Sequence, residues 1–451
     1  MAEETDILDG LNYDGTTFHI LTSDTANSSN YLIQGDEELE GDQLNDSVLK
    51  RNASVEEQLG VTFKYTTTNY DWKEVTAAME VVVMSGEDTY DLVIDDQLGL
   101  STSSVNHQLY DVSDLKTIDF DEDCWWHEYM MNLSVDYKTI NLIVGDYFMD
   151  VLNCSHALLV NRDLYRDLFD DPDTLYQMVT DGEWTYDTML PLIKNTYYDL
   201  NGDGKKNAND RFGIIIGNIW GSCFPYVYGT DCDFVTRDSD GYPTLTLYSE
   251  RLVKLYDYIR EIYYSEGSNY NYDGEGTDDI NSKFKSGEAL FVDVTLRNFS
   301  VFRDDEIDIG IIPYPKLDES QESYVTVIHD TAEVGVLPMT VKDPEMSGAV
   351  ITALCRKSHN TVMPEYYENS LKIKYSRDDA SANMIDLIHD GITDEFCLVY
   401  GSDWANGIFT WTILEPLQKN LGSISSAYET RESAAIQALE DLVEAFKKQA
   451  E

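Results

Sequence analysis

The chain has 451 residues, with 84 Asp and Glu against 31 Lys and Arg, a formal charge of −53. Such a surface repels nucleic acid and anionic lipid, which excludes the partners that basic patches serve and leaves neutral or cationic ligands. With 42% apolar residues and a length that suggests two or three lobes, the chain is globular and able to bury real cores; a saline habitat would explain the acidity equally well.

Met1-Ala2-Glu3-Glu4-Thr5 lacks the basic region and apolar run of an export signal, so the chain is expected to be either cytoplasmic or a form from which that signal has been removed. No apolar run is long enough to cross a bilayer. From Phe18 the pattern alternates. Phe18-His19-Ile20-Leu21 reads as a strand, Leu44, Val48, Val55 and Leu59 recur at helical period, Val61, Phe63 and Tyr65 alternate as a strand, and Trp72, Val75, Met79 and Val82 return to helix. Leu92-Val93-Ile94 is a third strand. A β-α-β-α-β order predicts a wound parallel sheet with ligands at the carboxyl ends of its strands. Two segments leave those ends, Thr22-Ser23-Asp24 and Asp95-Asp96-Gln97, which makes Asp24, Asp95 and Asp96 candidate ligand contacts; helix caps and solvated acids are the competing account.

Trp125 and Trp126 suit a core or a cleft equally. Asn141–Val144 and Ala157–Val160 read as strands, and Asn161-Arg162-Asp163 leads into a helix. Another helix starts at Thr185 and carries Met189, Leu192 and Ile193 on one face. It runs into a loop rich in oxygen ligands. Asp199, Asn201 and Asp203 alternate, Gly204 allows the sharp turn, Lys205 offers its carbonyl, and Asp210 closes at the twelfth position, the spacing of a calcium loop. Asp in place of Glu at the last position makes two-oxygen closure less assured, and the expected ion is structural. Calcium of moderate affinity argues for a protein that works outside the cell. A solvated turn is the alternative.

Phe212–Ile216 is a strand, followed by Trp220, Phe224, Tyr226 and Tyr228. Glu250–Glu266 is an amphipathic helix and Ser268–Asp279 a polar surface loop. Phe291-Val292-Asp293-Val294 is a buried-type strand with Thr295 and Arg297 near its end. Asp293 could accept from vicinal hydroxyls, although a polar strand end is the simpler reading. Tyr324–Ile328 and Glu333–Leu337 read as strands flanking His329-Asp330-Thr331, Pro344 starts a helix, and Asp378–Asp390 is helical. Trp404 follows a Gly-Ser-Asp turn, Trp411 sits in an apolar helix, and a last helix ends in Lys447-Lys448. Six scattered cysteines show neither a Cys-x-x-Cys pair nor His at zinc spacing. Cys223 and Cys232 could bridge a short loop in an oxidising compartment, and the others read as buried small hydrophobes.

Taken in order, Tyr90–Val93, Leu159–Tyr165, Gly182–Asp187, the loop Asp199–Asp210, Phe284–Leu290 and Ile309–Pro315 resemble the successive signatures of bacterial extracellular solute-binding proteins, in particular the carbohydrate receptors of ABC importers in Gram-positive bacteria. The resemblance spans roughly residues 18 to 450. It implies an α/β, two-lobed periplasmic-binding-protein-like fold with an interlobe cleft: 1–153 in the first lobe, 154–326 in the second, 327–370 returning to the first, and 371–451 as helices mainly of the second. It further implies that Trp220 and Phe224, and an aromatic such as Trp404, face the cleft, where flat rings suit sugar C–H surfaces, with a core role as the competing account for Trp220 and Phe224. His329 falls at a crossing, as a hinge or core residue.

The expected function is therefore that of an extracellular, lipid-anchored monomer which delivers a small solute, an oligosaccharide in the first instance, to the membrane subunits of an importer without catalysis. No nucleophile elbow, phosphate loop or zinc-protease helix stands in the sequence. The rivals are a secreted carbohydrate-active enzyme and a calcium-stabilised lectin, and a polyamine or peptide is the alternative ligand. The departure from the family pattern is the N-terminal Cys that would carry a lipid, which this sequence lacks.

Overall fold

The computed structural model describes residues 6–24, 30–39, 41–69, 74–217, 219–246, 248–269, 277–302, 307–367, 379–393, 396–401, 407–408 and 410–448. Its strands are Thr16–Asp24 (β1), Val61–Asn69 (β2), Leu92–Asp96 (β3), His156–Asn161 (β4), Phe212–Ile215 (β5), Val235–Arg237 (β6), Pro243–Leu245 (β7), Ala289–Thr295 (β8), Ile309–Ile312 (β9), Thr326–Val327 (β10), Glu333–Val336 (β11) and Ile392–Thr393 (β12). They form two separate four-stranded sheets, ordered β11-β3-β1-β2 and β5-β8-β4-β9. Two short pairs, β10-β12 and β6-β7, complete the inventory of the described residues.

In the first sheet β1 runs parallel to β2 over its whole length, Thr16 opposite Val61 to Asp24 opposite Asn69, and parallel to β3 on its other side. Phe18, Ile20 and Leu21 are fully buried. The Gln43–Leu59 helix covers the sheet with Val48, Val55 and Leu59; Asp42 caps its start by accepting from Asn45 N at 3.0 Å, and Gly60, at φ 62°, ends it. The fourth strand, β11, is antiparallel to β3 because it arrives from the second lobe, so the expected wholly parallel sheet is mixed. The Asn141–Val144 strand does not form. Ile143 makes only an isolated bridge to Gly335 on the edge of β11, and the chain turns at Gly145, where a Cβ would meet the Trp125 ring at 2.9 Å.

In the second sheet β5 and β8 are parallel, whereas β4 is antiparallel to both its neighbours. The Tyr186–Thr196 helix, whose Thr185 N–H donates to the Thr188 hydroxyl at 2.8 Å, presses directly on the backbone of this lobe. A Cβ on Gly213 would lie 2.1 Å from the Ile193 carbonyl oxygen, and one on Gly267 would lie 2.0 Å from the same atom. These glycines are required by contact.

The chain passes between the sheets near residues 154 and 328 and again after the π-helical turn Ser358–Val362, which follows the Pro344–Lys357 helix of the first lobe. Asp379–Asp390 then packs on β9 of the second lobe. The long Ser425–Lys447 helix rests on the second lobe, where Tyr428 OH donates to the Thr246 carbonyl at 2.7 Å, and its end reaches the first, where Phe446 meets the His107 ring at 5.5 Å. Of the expected Tyr324–Ile328 strand, β10 pairs with β12 and Ile328 makes an isolated bridge to Ser155. All six cysteines are buried and none is in a disulfide, so Cys223 and Cys232 are not bridged. Burial pushes the Cys223 thiol up to about 12. No helix among the described residues is long and apolar enough to cross a membrane.

Gly213→Ala is predicted to lower stability by about 3 kcal/mol, since the helix must lift off the strand to admit the methyl group. Urea unfolding of the two proteins measures the difference, and equal midpoints would mean that the helix is free to shift.

Candidate functional site

The carboxyl ends of strands from both sheets meet at two adjacent crossing segments. Ser155 bridges Ile328, and His329 N–H donates to the Cys154 carbonyl at 3.0 Å. The chain leaving β8 joins them, Leu296 N–H donating to the Ser155 carbonyl at 3.0 Å. From the first sheet, Gln97 at the end of β3 donates its backbone N–H to the Ala332 carbonyl at 2.9 Å and its side-chain amide to the His329 carbonyl at 3.4 Å, while accepting from Tyr129 OH at 2.8 Å. The result is a polar floor between the lobes.

That floor is acidic. The Ser23 hydroxyl donates to Glu333 at 2.5 Å, and Glu333 N–H donates to Asp150 at 3.0 Å. Asp95 accepts from both the N–H and the hydroxyl of Thr76, at 2.7 and 2.5 Å. Asp96, 2% exposed, has one carboxyl oxygen with no hydrogen-bond partner among the described residues. Burial raises the Asp96 carboxyl to about 9, helped by the charges of Asp95, Glu333, Asp150 and Asp330, whereas Asp95, whose desolvation is partly offset by Thr76, rises only to about 6. Asp96 therefore keeps its proton at neutral pH and is a potential hydrogen-bond donor.

Rings line the second-lobe side. His329 stacks on His156 at 5.7 Å and meets the edge of Phe224 at 5.9 Å. His156 Nδ1 lies 3.0 Å from Asp293, which also accepts from Tyr314 OH at 2.5 Å. Arg297, half-buried just beyond β8, is close enough to act on the Cys154 thiol.

The candidates read from sequence thus separate. Asp96 and Arg297 lie at the floor. Asp95 is bonded into the start of the Glu74–Ser85 helix, where its two acceptor bonds serve the fold. Phe224 is 1% exposed and packs in the core beneath His329 instead of opening on a cleft. Asp293 is occupied within its sheet by His156 and Tyr314. Asp24 ends β1 and Trp220 lies in the Ile219–Tyr228 helix, but both side chains, and all of Trp404, fall outside the described residues. Asp150 and Glu333, which also stand at the floor, are not among the candidates that the sequence marks. Glu333 carried a signal, as a lone acid opening the apolar run Val334–Leu337.

On one flank the lobes are also joined by Arg237, which donates to the Asn132 and Val135 carbonyls at 2.8 and 3.0 Å and lies over the rings of Tyr137 and Phe396. A hollow of about 800 Å³ opens beside it.

The loop from 199 to 210 is pinned at its base by the paired backbones of Tyr198 and Arg211. Asp199 accepts from the N–H groups of Gly202 and Gly204, both at 2.7 Å, Asn201 from Asp203 N, and Asp203 from Lys205 N. Gly202 and Gly204 adopt φ of 70° and 71°, open to glycine at no steric penalty. Asp210 is fully buried; one oxygen accepts from Asn207 N–H and Tyr197 OH, and the other has no partner among the described residues. Within the described residues no three His, Cys, Asp or Glu side chains gather as a metal centre.

Solved structures share this architecture along the whole chain. UspC of M. tuberculosis aligns at 11% identity with a TM-score of 0.61, covering 94% of this chain and 100% of its own. The galacto-N-biose-/lacto-N-biose I-binding protein of a Bifidobacterium longum ABC transporter, in complex with lacto-N-biose, aligns at 10% and 0.61, covering 96% and 98%. The chain has the two-lobed fold of the solute-binding proteins. An ABC substrate-binding protein from Listeria monocytogenes, in complex with cycloalternan, aligns at 10% and 0.55, covering 97% and 99%. No protein-family model and no curated protein sequence matches the chain.

Between about pH 4 and pH 9 the folded chain holds a proton on Asp96 that the unfolded chain releases, so this group makes stability fall as pH rises through that window. Asp96→Asn keeps the shape and removes the ionisation. It is predicted to exceed the parent in stability at pH 8 and to lose that advantage towards pH 4, as read from urea midpoints at both values; an advantage independent of pH would mean that Asp96 is ionised in the fold.

Proposed function

We propose that the chain is a receptor that takes a small solute, best an oligosaccharide, between its lobes and closes over it. The observation that carries this reading is the convergence of β3, β8 and two crossing segments on one polar floor, within a fold whose solved neighbours include complexes with lacto-N-biose, cycloalternan and maltotriose. Arg297 and protonated Asp96 supply donors and the neighbouring acids supply acceptors, which suits hydroxyl groups stripped of water. Trp220 and Trp404 remain the aromatic planes proposed for the sugar faces. Contacts made to both lobes only in the closed form shift the population towards it, and no bond is made or broken. Transfer to an ABC importer, action outside the cell and lipid anchoring belong to the same reading.

Titration calorimetry against neutral oligosaccharides, polyamines and short peptides tests it. One glycan is expected to bind and to be recovered unchanged in mass after long incubation. Arg297→Ala is expected to weaken that binding about tenfold by removing a charged donor. Shortened glycan would make the protein an enzyme, and heat with polyamines alone would transfer the reading to a cationic solute.

Calcium at the 199–210 loop is a second proposal, supported by the orphaned oxygen of fully buried Asp210 and the left-handed glycines. Asp199, Asn201, Asp203, the Lys205 carbonyl and Asp210 would hold the ion, which would cross-brace the loop. Calcium at about a hundredfold excess over its Kd would add about 2.7 kcal/mol. A chelator is thus expected to lower the melting temperature of the parent but not of Asp210→Asn; unchanged melting of the parent would remove calcium from the account.

A further inference from the structure

A second hollow adjoins the strand-end floor at Tyr129, which lines the hollow and donates its hydroxyl to Gln97. It encloses about 820 Å³, the size of a small-molecule site, and draws its walls from three places: Trp126 and Asp146 of the first lobe, His359 and Tyr367 of the third crossing, and His389 and Asp390 at the end of a second-lobe helix. Its polar parts are organised from behind. Asp146, 5% exposed, accepts from the Trp126 indole N–H at 2.8 Å and stands 2.6 Å from His359 Nδ1. Tyr367 OH donates to Asp386 at 2.7 Å. The rings of Trp126 and Tyr367 lie 5.9 and 4.9 Å from that of His389, so an aromatic cluster is fixed in place by carboxylates at its rims.

The charge of the lining selects the ligand. Among the described residues Asp123, Glu128, Asp146 and Asp390 all line the hollow, and no Lys or Arg does. An anion would be repelled, and a neutral sugar would leave that charge uncompensated. A cation with an apolar body satisfies both halves of the wall, because its charge is drawn to carboxylates and to the negative faces of indole and phenol rings while its methylenes cover the aromatic surface. The net charge of −53 concentrates such ions near the protein.

We propose that this hollow binds an organic ammonium ion, a protonated or quaternary amine with an aliphatic body, at a site separate from the interlobe floor.

Titration calorimetry with choline and with putrescine tests the assignment on the parent, Trp126→Leu and Asp390→Lys. Trp126→Leu removes the ring, and Asp390→Lys inverts a charge at a side chain that is 77% exposed, where the fold is not at stake. At least one amine is expected to bind the parent, each variant to weaken it by about tenfold or more, and added salt to weaken it further. A glycan bound at the interlobe floor is expected neither to displace the amine nor to lose affinity in Asp390→Lys. Amine binding that ignores both substitutions, or that a glycan displaces, would place the cation elsewhere and overturn the proposal. So would the absence of heat from either amine at ~20 mM, well above the range in which such sites work. Amine binding of the expected pattern in a protein that takes no glycan would leave this site standing and remove the oligosaccharide reading alone.

Discussion

The backbone hydrogen bonds between the two crossing segments are the constraint on which the rest depends. His329 to Cys154, Leu296 to Ser155 and the bridge of Ser155 with Ile328 bind the chain leaving the first sheet to the chain returning to it. Each sheet can then fold on its own helices and still present its strand ends at a defined place. Because peptide groups buried here must find partners, the crossings satisfy one another, and the side chains of Gln97 and Asp150 take up the His329 carbonyl and the Glu333 N–H. A polar floor follows from two backbones meeting where neither sheet can continue.

Crowding acids onto that floor has a thermodynamic price, which the molecule limits by protonation. Asp96 lies among four other carboxyls and stays neutral, whereas Asp95, with two donors from Thr76, is perturbed far less. The acids crowd where one oxygen of Asp96 has no hydrogen-bond partner among the described residues.

The fold was legible where one local signal dominated. Helical period marked Gln43–Leu59 and Glu250–Tyr264, alternation marked β2, and apolar runs marked β4 and β8. It was not legible where partners from far along the chain decide. Asn141–Val144 has the composition of a strand but finds only one bridge at a sheet edge, and the direction of β11 depends on the route of the chain through the other lobe. The site was legible by topology alone. The rule that ligands gather at strand ends led to the Asp95-Asp96 pair, yet sequence could not tell that one would cap a helix and the other hold a proton. Phe224 illustrates the converse, since an aromatic that suits a sugar face suits the core beneath His329 equally well.

Arg237 has a mechanical consequence. The carbonyl of Asn132 comes from the last turn of the His127–Leu133 helix, where backbone oxygens lack partners within the helix, and a guanidinium from the other lobe fills that vacancy while lying over two rings. Parting the lobes along this flank would bare the helix end and strip the cation of its ring contacts at the same moment. Swinging them apart at the opposite edge disturbs neither. Arg237 is thus a stitch between the lobes on this flank alone.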